Sequence, residues 1–396
     1  MYLAVLGRQP EISIAELEAQ FPKAQFLAGP AYVTFSATVS TINIDRFGGV
    51  LKLAKALDEK PLEFLQKLPE GKITLGVSDY SLRASRKSAT LEALKLKKIL
   101  VRHGRSVRVV ENKDATLSTA TSLHNGLSGK NERKVELIKL DDEWYRVIGV
   151  QDIDAYAKRD QARPARDAKV GMLPPKLAQI LINLCGPLSE GSTILDPFCG
   201  TGVVLQEALL MGYRAYGTDV DERMVEYSKR NLEWFTEPEN IHSRAASPRP
   251  VATGEARSTS RCRAPEAPRM NIFQVQQGDA TSFTWQQPID AVACEGYLGK
   301  PMSNIPPEIK LKTEKQECGA IVLGFLKNLA SQIKSGTPVV VAAPAWLRED
   351  GIYSRLEILD EIADMGYNVH NKTREGLIYH RDGQIVARDI IILRKK

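Results

Sequence analysis

From residue 192 onward the chain repeats one pattern: a short apolar run, a turn rich in glycine or acids, then a longer stretch of helical periodicity. Strands are predicted over 192–196, 214–218, 271–277, 289–294, 337–343, 367–370, 376–380 and 385–393. Strand and helix alternate throughout, so the pattern predicts a mostly parallel sheet covered by helices on both faces. The last two runs flank Asp382-Gly383, a hairpin turn.

The first 150 residues alternate more weakly and divide into two small α/β modules. In the first, strands are predicted over 3–6 and 31–35, with helices over 13–20 (Ser13 as N-cap) and 45–57. In the second, strands are predicted over 73–77, 106–110, 135–140 and 145–150, with helices over 90–102 and 118–125. Residues 156–175 read as a polar, basic linker, and Pro174 and Pro175 suit the first turn of the helix that follows. The boundaries expected are therefore 1–65, 66–155, a linker over 156–175, and 176–396. Residues 236–270, with Pro238, Pro248, Pro250, Pro265 and Pro268 among Ser, Thr, Arg and Ala, read as a disordered surface insert.

Composition narrows the function classes. The 396 residues are 43% hydrophobic and 26% charged, ordinary for a globular chain of two or three domains. No apolar run reaches membrane-spanning length, and Gly7-Arg8-Gln9-Pro10 interrupts the only apolar start, so a cytoplasmic protein with no membrane partner is expected. The five cysteines lie far apart without histidines at ligand spacing, which argues against a disulfide framework and predicts no metal. Charge is unevenly placed. Residues 1–170 carry 28 Lys and Arg against 21 acids, and the remainder 26 against 27. Residues 83–108 hold nine basic residues and only Glu92 as an acid, a one-sign stripe that suits tracking of phosphates.

The sharpest chemical signal is Ile194-Leu-Asp-Pro-Phe-Cys-Gly-Thr-Gly202, followed 23 residues after Asp196 by a second strand-end acid, Asp219. The glycines permit close approach of a ligand to the backbone, and the helix that follows offers free N–H groups. The loop lacks the Gly-x-Gly-x-x-Gly of dinucleotide sites and the Gly-Lys-Ser/Thr of phosphate loops. A cofactor with a cationic amine and a ribose remains, which describes S-adenosylmethionine. On the loop alone, the plain glycine turn of any doubly wound fold stays open.

Lys158-Arg-Asp160, Arg163-Pro164, Arg166-Asp167, Gly171-Met-Leu-Pro-Pro-Lys-Leu-Ala-Gln179 and Asp196-Pro-Phe-Cys-Gly-Thr-Gly202 together resemble the THUMP-domain tRNA methyltransferases. The likeness is to the branch acting on the 2-amino group of guanosine-10. It implies an N-terminal ferredoxin-like module, a THUMP-like RNA-binding module, and a C-terminal Rossmann-like class I methyltransferase domain whose seven-stranded, mostly parallel sheet ends in a hairpin. Carried onto this chain, Met172, Pro174, Asp196, Phe198, Cys199, Gly200, Gly202, Asp219, Asp279 and Ala280 would hold S-adenosylmethionine. Asp219 would take the ribose hydroxyls and Asp279 the adenine edge. Arg83, Arg86, Lys87, Lys97, Arg108, Asn125, Lys158, Arg159, Arg163 and Arg166 would contact tRNA, and the resemblance leaves room for an activating protein subunit.

The substrate end departs from the family pattern of Asp/Asn-Pro-Pro-Tyr. Here the stretch is Cys294-Glu295-Gly296-Tyr297. Tyr297 can stack on a base, Cys294 is a poor acceptor for an amine, and Glu295 can serve if the backbone brings its carboxylate round. Two expectations follow: an active methyltransferase using Glu295, or an RNA-binding protein that has lost catalysis.

Overall fold

The computed structural model describes residues 1–37, 42–167, 172–237, 272–286, 288–370 and 376–396. It divides into two compact units, Met1–Asp154 and Ala155–Lys396. The predicted insert lies outside the described residues from 238 to its end, as does Gly171.

In the first unit the elements run β1 (Tyr2–Leu6), α1 (Pro10–Gln20), β2 (Phe26–Ala28), β3 (Tyr32–Phe35), β4 (Val50–Ala56), α2 (Pro61–Gln66), β5 (Ile73–Asp79), α3 (Arg86–Arg102), β6 (Val107–Val109), α4 (Thr119–His124), β7 (Lys134–Leu140) and β8 (Glu143–Val150). One sheet contains all eight strands, in the order β2-β3-β1-β4-β8-β7-β5-β6. The two sequence modules join where β4 pairs antiparallel with β8.

The helix expected over 45–57 is instead a short 3-10 turn and the central strand β4. Its apolar run is misleading because this strand is buried between neighbours on both sides. Lys52, at 1% exposure, donates from Nζ to Glu136 Oε1 and to Leu117 O, both at 2.6 Å. Ser78 and Ser122 hydroxyls complete the Glu136 carboxylate at 2.7 and 2.6 Å, so the buried charges are fully partnered. Helix α1 begins three residues before Ser13, at Pro10 in its first turn, leaving Ser13 inside the helix with its hydroxyl on Gln9 O at 3.2 Å. Helix α3 starts at Ser85–Ser88, a reciprocal capping box.

The second unit runs α5 (Ile153–Gln161, which crosses the unit boundary), α6 (Pro175–Leu184), β9 (Thr193–Asp196), α7 (Val203–Leu210), β10 (Arg214–Asp219), α8 (Glu222–Thr236), β11 (Phe273–Gln277), β12 (Ala291–Glu295), α9 (Glu308–Ala330), β13 (Pro338–Leu347), β14 (Tyr353–Ser354), α10 (Leu359–Asp364), β15 (Tyr367–Val369), β16 (Ile378–Tyr379) and β17 (Val386–Lys395). The main path of its sheet is β11-β10-β9-β12-β13-β17-β15, with β14 on β13 and β16 on β17. Strands β9 to β13 pair in parallel, while β17 runs antiparallel to β13 and forms the predicted hairpin with β16.

Helix α5 replaces the first part of the expected linker, because Tyr156 and Arg159 bury one of its faces. The core gathers Trp285, Phe325, Trp346 and Tyr367 with aliphatic neighbours from the central strands and α9. Among the described residues, no helix is long and apolar enough to cross a membrane.

Candidate active site

After β9 the chain crosses to β10 and β11 on one side, then returns to β12 on the other side of β9. Such a switch opens a crevice beyond the carboxyl ends of the two central strands, where open α/β sheets bind ligands. Asp196 ends β9 and Glu295 ends β12.

The loop after Asp196 is shaped by its own polar contacts. Asp196 Oδ1 accepts the Phe198 N–H at 3.1 Å, and Asp219 Oδ2 accepts the Gly200 N–H at 2.8 Å. Gly200 and Gly202 have φ of +50° and +82°, backbone that favours glycine. A side chain at Gly202 would also strike Ser228, whose Oγ would lie 2.9 Å from its Cβ. At Gly200 the nearest atom to such a Cβ is Phe198 O at 4.0 Å, so this backbone is open to a ligand. Phe198 packs edge-on against Phe325 with ring centroids 5.3 Å apart, tying the loop to α9.

Helix α8 braces the loop from behind. Ser228 Oγ donates to Gly200 O at 2.8 Å, and Asn231 Nδ2 donates to Thr201 O at 2.8 Å and Ala165 O at 2.9 Å. The Ala165 N–H returns a bond to Asn231 Oδ1 at 2.9 Å. Arg163 Nη1 reaches Thr201 Oγ1 at 3.3 Å, and its Nη2 reaches Met172 Sδ at 3.6 Å. These braces were not anticipated from the sequence, although Ser228 and Asn231 are polar residues on the buried face of an amphipathic helix, a detectable irregularity.

Three carboxylates converge here. Burial pushes Asp196 well above the usual carboxylate range; the Phe198 N–H pulls the other way, and the charges of Asp219 and Glu295 add to the rise. Burial also raises Asp219, opposed by the N–H groups of Asp221 and Gly200. A cation placed among them would relieve both. Asp279, in contrast, is exposed and lies below its ordinary range, because the Thr281 hydroxyl and N–H donate to its Oδ1 at 2.7 and 2.9 Å. Ala280 beside it is buried. The donor set suits S-adenosylmethionine: open glycine backbone, an acid at the end of β9 for the cationic amine, and a second strand-end carboxylate, Asp219, for paired hydroxyls.

At the end of β12, Cys294 and Glu295 have opposite fates. Cys294 is fully buried in the core with Leu195 and Val322, and burial pushes its thiol far above the ordinary range. It is thereby removed from the expected catalytic set, since no amine can reach it. Glu295 is partly exposed, and its Oε1 accepts from Arg388 Nε at 2.8 Å. Gly296 continues the strand pairing through its N–H to Ala342 O at 3.0 Å, and Tyr297 stands 39% exposed just beyond.

The basic residues separate as well. In the first unit Arg83, Arg86 and Lys87 are exposed at the start of α3, Lys97 is half-buried, and Arg108 Nη2 donates to Asn125 Oδ1 at 2.9 Å. In the second unit Lys158 and Arg166 are exposed, whereas Arg159 and Arg163 are 2% and 3% exposed. Arg159 Nε pairs with buried Glu207 Oε1 at 2.7 Å and its guanidinium lies 4.4 Å from the centre of the Tyr156 ring. Neither arginine presents a phosphate-binding face. Their predicted role in RNA contact is corrected to one of holding α5, α7 and the glycine loop together.

A cavity of about 1110 Å³ opens elsewhere in this unit, lined by Leu311, Lys315, Leu323, Arg348, Leu356 and Glu361 among others. Its lining includes none of the loop acids and mixes charges of both signs, so the switch-point crevice remains the better candidate.

Residues 163–304 match the model of the UPF0020 family, described as an RMKL-like methyltransferase domain. The matched stretch contains Arg163, the glycine loop, Asp219, Asp279, Glu295 and Tyr297. With the sheet order, this makes the second unit a class I methyltransferase fold. The tRNA (guanine(10)-N2)-dimethyltransferase of Methanothermobacter thermautotrophicus is 29% identical over 190 residues, 48% of this chain and 44% of that protein. The protein of the same description from Methanocaldococcus jannaschii is 29% identical over 187 residues, covering 45% and 52%. The match thus spans about half the length of these curated relatives. The solved structure of TrmN from Thermus thermophilus aligns over 100% of this chain and 99% of its own, at 16% identity and a TM-score of 0.47.

Proposed function

We propose that this chain, whose residues 163–304 match an RMKL-like methyltransferase domain, transfers methyl groups from S-adenosylmethionine to the 2-amino group of a guanosine in tRNA, guanosine-10 by the resemblance. The observation that carries the reading is the convergence of Asp196, Asp219 and Glu295 on one crevice inside the matched domain. When bound, S-adenosylmethionine supplies an electrophilic methyl on a positively charged sulfur.

The chain's own residues account for the rest. Asp196 and the backbone at Gly200 and Gly202 receive the amino-acid end, Asp219 accepts the ribose hydroxyls, and Asp279 addresses the adenine edge. Met172, which Arg163 ties to the loop, and Pro174, the N-cap of α6, receive the methionine end. The exposed ring of Tyr297 stacks on a base drawn out of its helix. Glu295 Oε2, which makes no hydrogen bond among the described residues, accepts an N–H of the amine and aims the nitrogen lone pair at the methyl. The proton released on transfer passes to this carboxylate or to water.

The first unit, with its ferredoxin-like and THUMP-like halves, supplies exposed basic residues at α3 and Arg108 for backbone phosphates. Such a protein works in the cytoplasm. Incubating the chain alone with unmodified tRNA and isotopically labelled S-adenosylmethionine, then mapping nucleosides by mass, tests the reading. It should yield mono- or dimethylated guanosine without a second protein. Binding of cofactor and tRNA with no transfer to any tRNA would instead establish the catalytically impaired alternative.

A further inference from the structure

We infer that Arg388 is a positioning residue for the reaction: it holds one oxygen of Glu295 so that the other is presented to the substrate amine. The inference rests on the functional reading above and extends it to a residue outside the matched domain.

Glu295 ends β12, and Gly296 follows it, so the neighbouring residue gives the carboxylate no side-chain support. A glutamate swings through three side-chain torsions and does not fix its own acceptor. Arg388 provides the missing restraint. In the sheet, Glu295 lies opposite Ala342 of β13, and Ala342 lies opposite Ile390 of β17. Arg388 is two residues from Ile390 and therefore on the same face, opposite Pro344 and beyond the end of β12. Its backbone is further fixed by pairing with Tyr379 of β16.

From that position the guanidinium crosses β13 and donates Nε–H to Glu295 Oε1 at 2.8 Å, while Nη1 reaches Gln384 Oε1 at 3.5 Å. Arg388 is 7% exposed, so the contact is sheltered. Among the described residues Glu295 Oε2 has no hydrogen-bond partner, and it is not sealed in the interior. One oxygen is clamped and the other is open. That is the arrangement an amine acceptor needs, because small displacements of a reacting group are costly.

The test is a double-mutant cycle with single-turnover transfer to tRNA as readout. Arg388→Met should slow transfer by roughly 10- to 100-fold while leaving S-adenosylmethionine and tRNA dissociation constants within about twofold, and Arg388→Lys should recover part of the rate. In the Glu295→Gln background, Arg388→Met should cost nothing further. An equal loss in both backgrounds, or a change of rate below about twofold, would overturn the inference. A second measurement does not depend on turnover. In full-length protein labelled at arginine nitrogen, Arg388 Nε–H should be protected from exchange and lose protection in Glu295→Gln. A freely exchanging Arg388 Nε–H in the parent refutes the clamp. A protected one without transfer to any tRNA leaves the clamp standing and removes the substrate reading.

Discussion

Arg159 offers the sharpest division between two physical roles for one basic side chain. As a phosphate contact it would be dispensable for stability and important for tRNA affinity. The structure places it in the interior of the second unit, 2% exposed, with Nε 2.7 Å from Glu207 Oε1 and its guanidinium stacked on Tyr156. Glu207 is itself fully buried, and burial already raises its carboxyl despite Arg159. Arg159→Met should therefore strand a buried acid at a cost of about 3–5 kcal/mol, the range for breaking a buried pair by removing one partner. For a unit of this size that corresponds to a loss of roughly 6–20 °C in its melting temperature. Scanning calorimetry of the full chain measures it directly. Replacing both partners, as Arg159→Met with Glu207→Leu, should recover most of the loss because no uncompensated charge remains. tRNA affinity, measured by filter binding below the transition, should stay within about twofold of the parent. An unchanged melting temperature with a severalfold weaker tRNA complex would refute the assignment of Arg159 to the interior.

Three further outcomes are expected. Because Asp196 and Asp219 are raised in the free protein, a cationic ligand must displace protons at low pH; affinity for S-adenosylmethionine should rise with pH through their titration range and then level off. Calorimetry in buffers of different ionisation enthalpy should detect proton release, and Asp196→Asn should diminish both effects; a flat affinity with no proton release would count against the acid cluster as the cofactor site. Gly202→Ala forces a side chain onto left-handed backbone against Ser228 and should weaken cofactor binding by about 1–3 kcal/mol, read by titration calorimetry; unchanged affinity would show that the loop does not hold the cofactor. Tyr297→Ala should lose about 1–3 kcal/mol in kcat/KM for tRNA whereas Tyr297→Phe should lose little, and equal losses would argue for the hydroxyl rather than the ring.

Much of this protein is legible in its sequence. The repeated strand and helix pattern after residue 192 predicted the mostly parallel sheet and its closing hairpin, since both depend on local apolar runs and turn residues. The loop at Asp196 to Gly202 was equally legible, because glycine at positive φ and acids at strand ends are local requirements. The failures share a different cause. Strand β4 looked helical because its apolar run reflects burial between β1 and β8 rather than one amphipathic face. Helix α5 looked like a linker because Arg159 and Asp160 read as solvent-seeking residues, although Arg159 is neutralised inside by Glu207, 48 residues away.

The amino-acid sequence alone therefore determined the class of fold, the glycine loop with its strand-end acids, and the stretch Cys294 to Tyr297 proposed to face the substrate. Only the tertiary structure decided which of those residues are buried and which face the crevice. It turned Cys294 into the core and left Glu295 at the crevice, since successive residues of a strand face opposite ways. It also buried Arg159 and Arg163 and brought Arg388 to Glu295 across 93 positions of chain. Pairings over such distances are fixed by sheet register and by the requirement that buried charges find partners, and neither is written in local sequence.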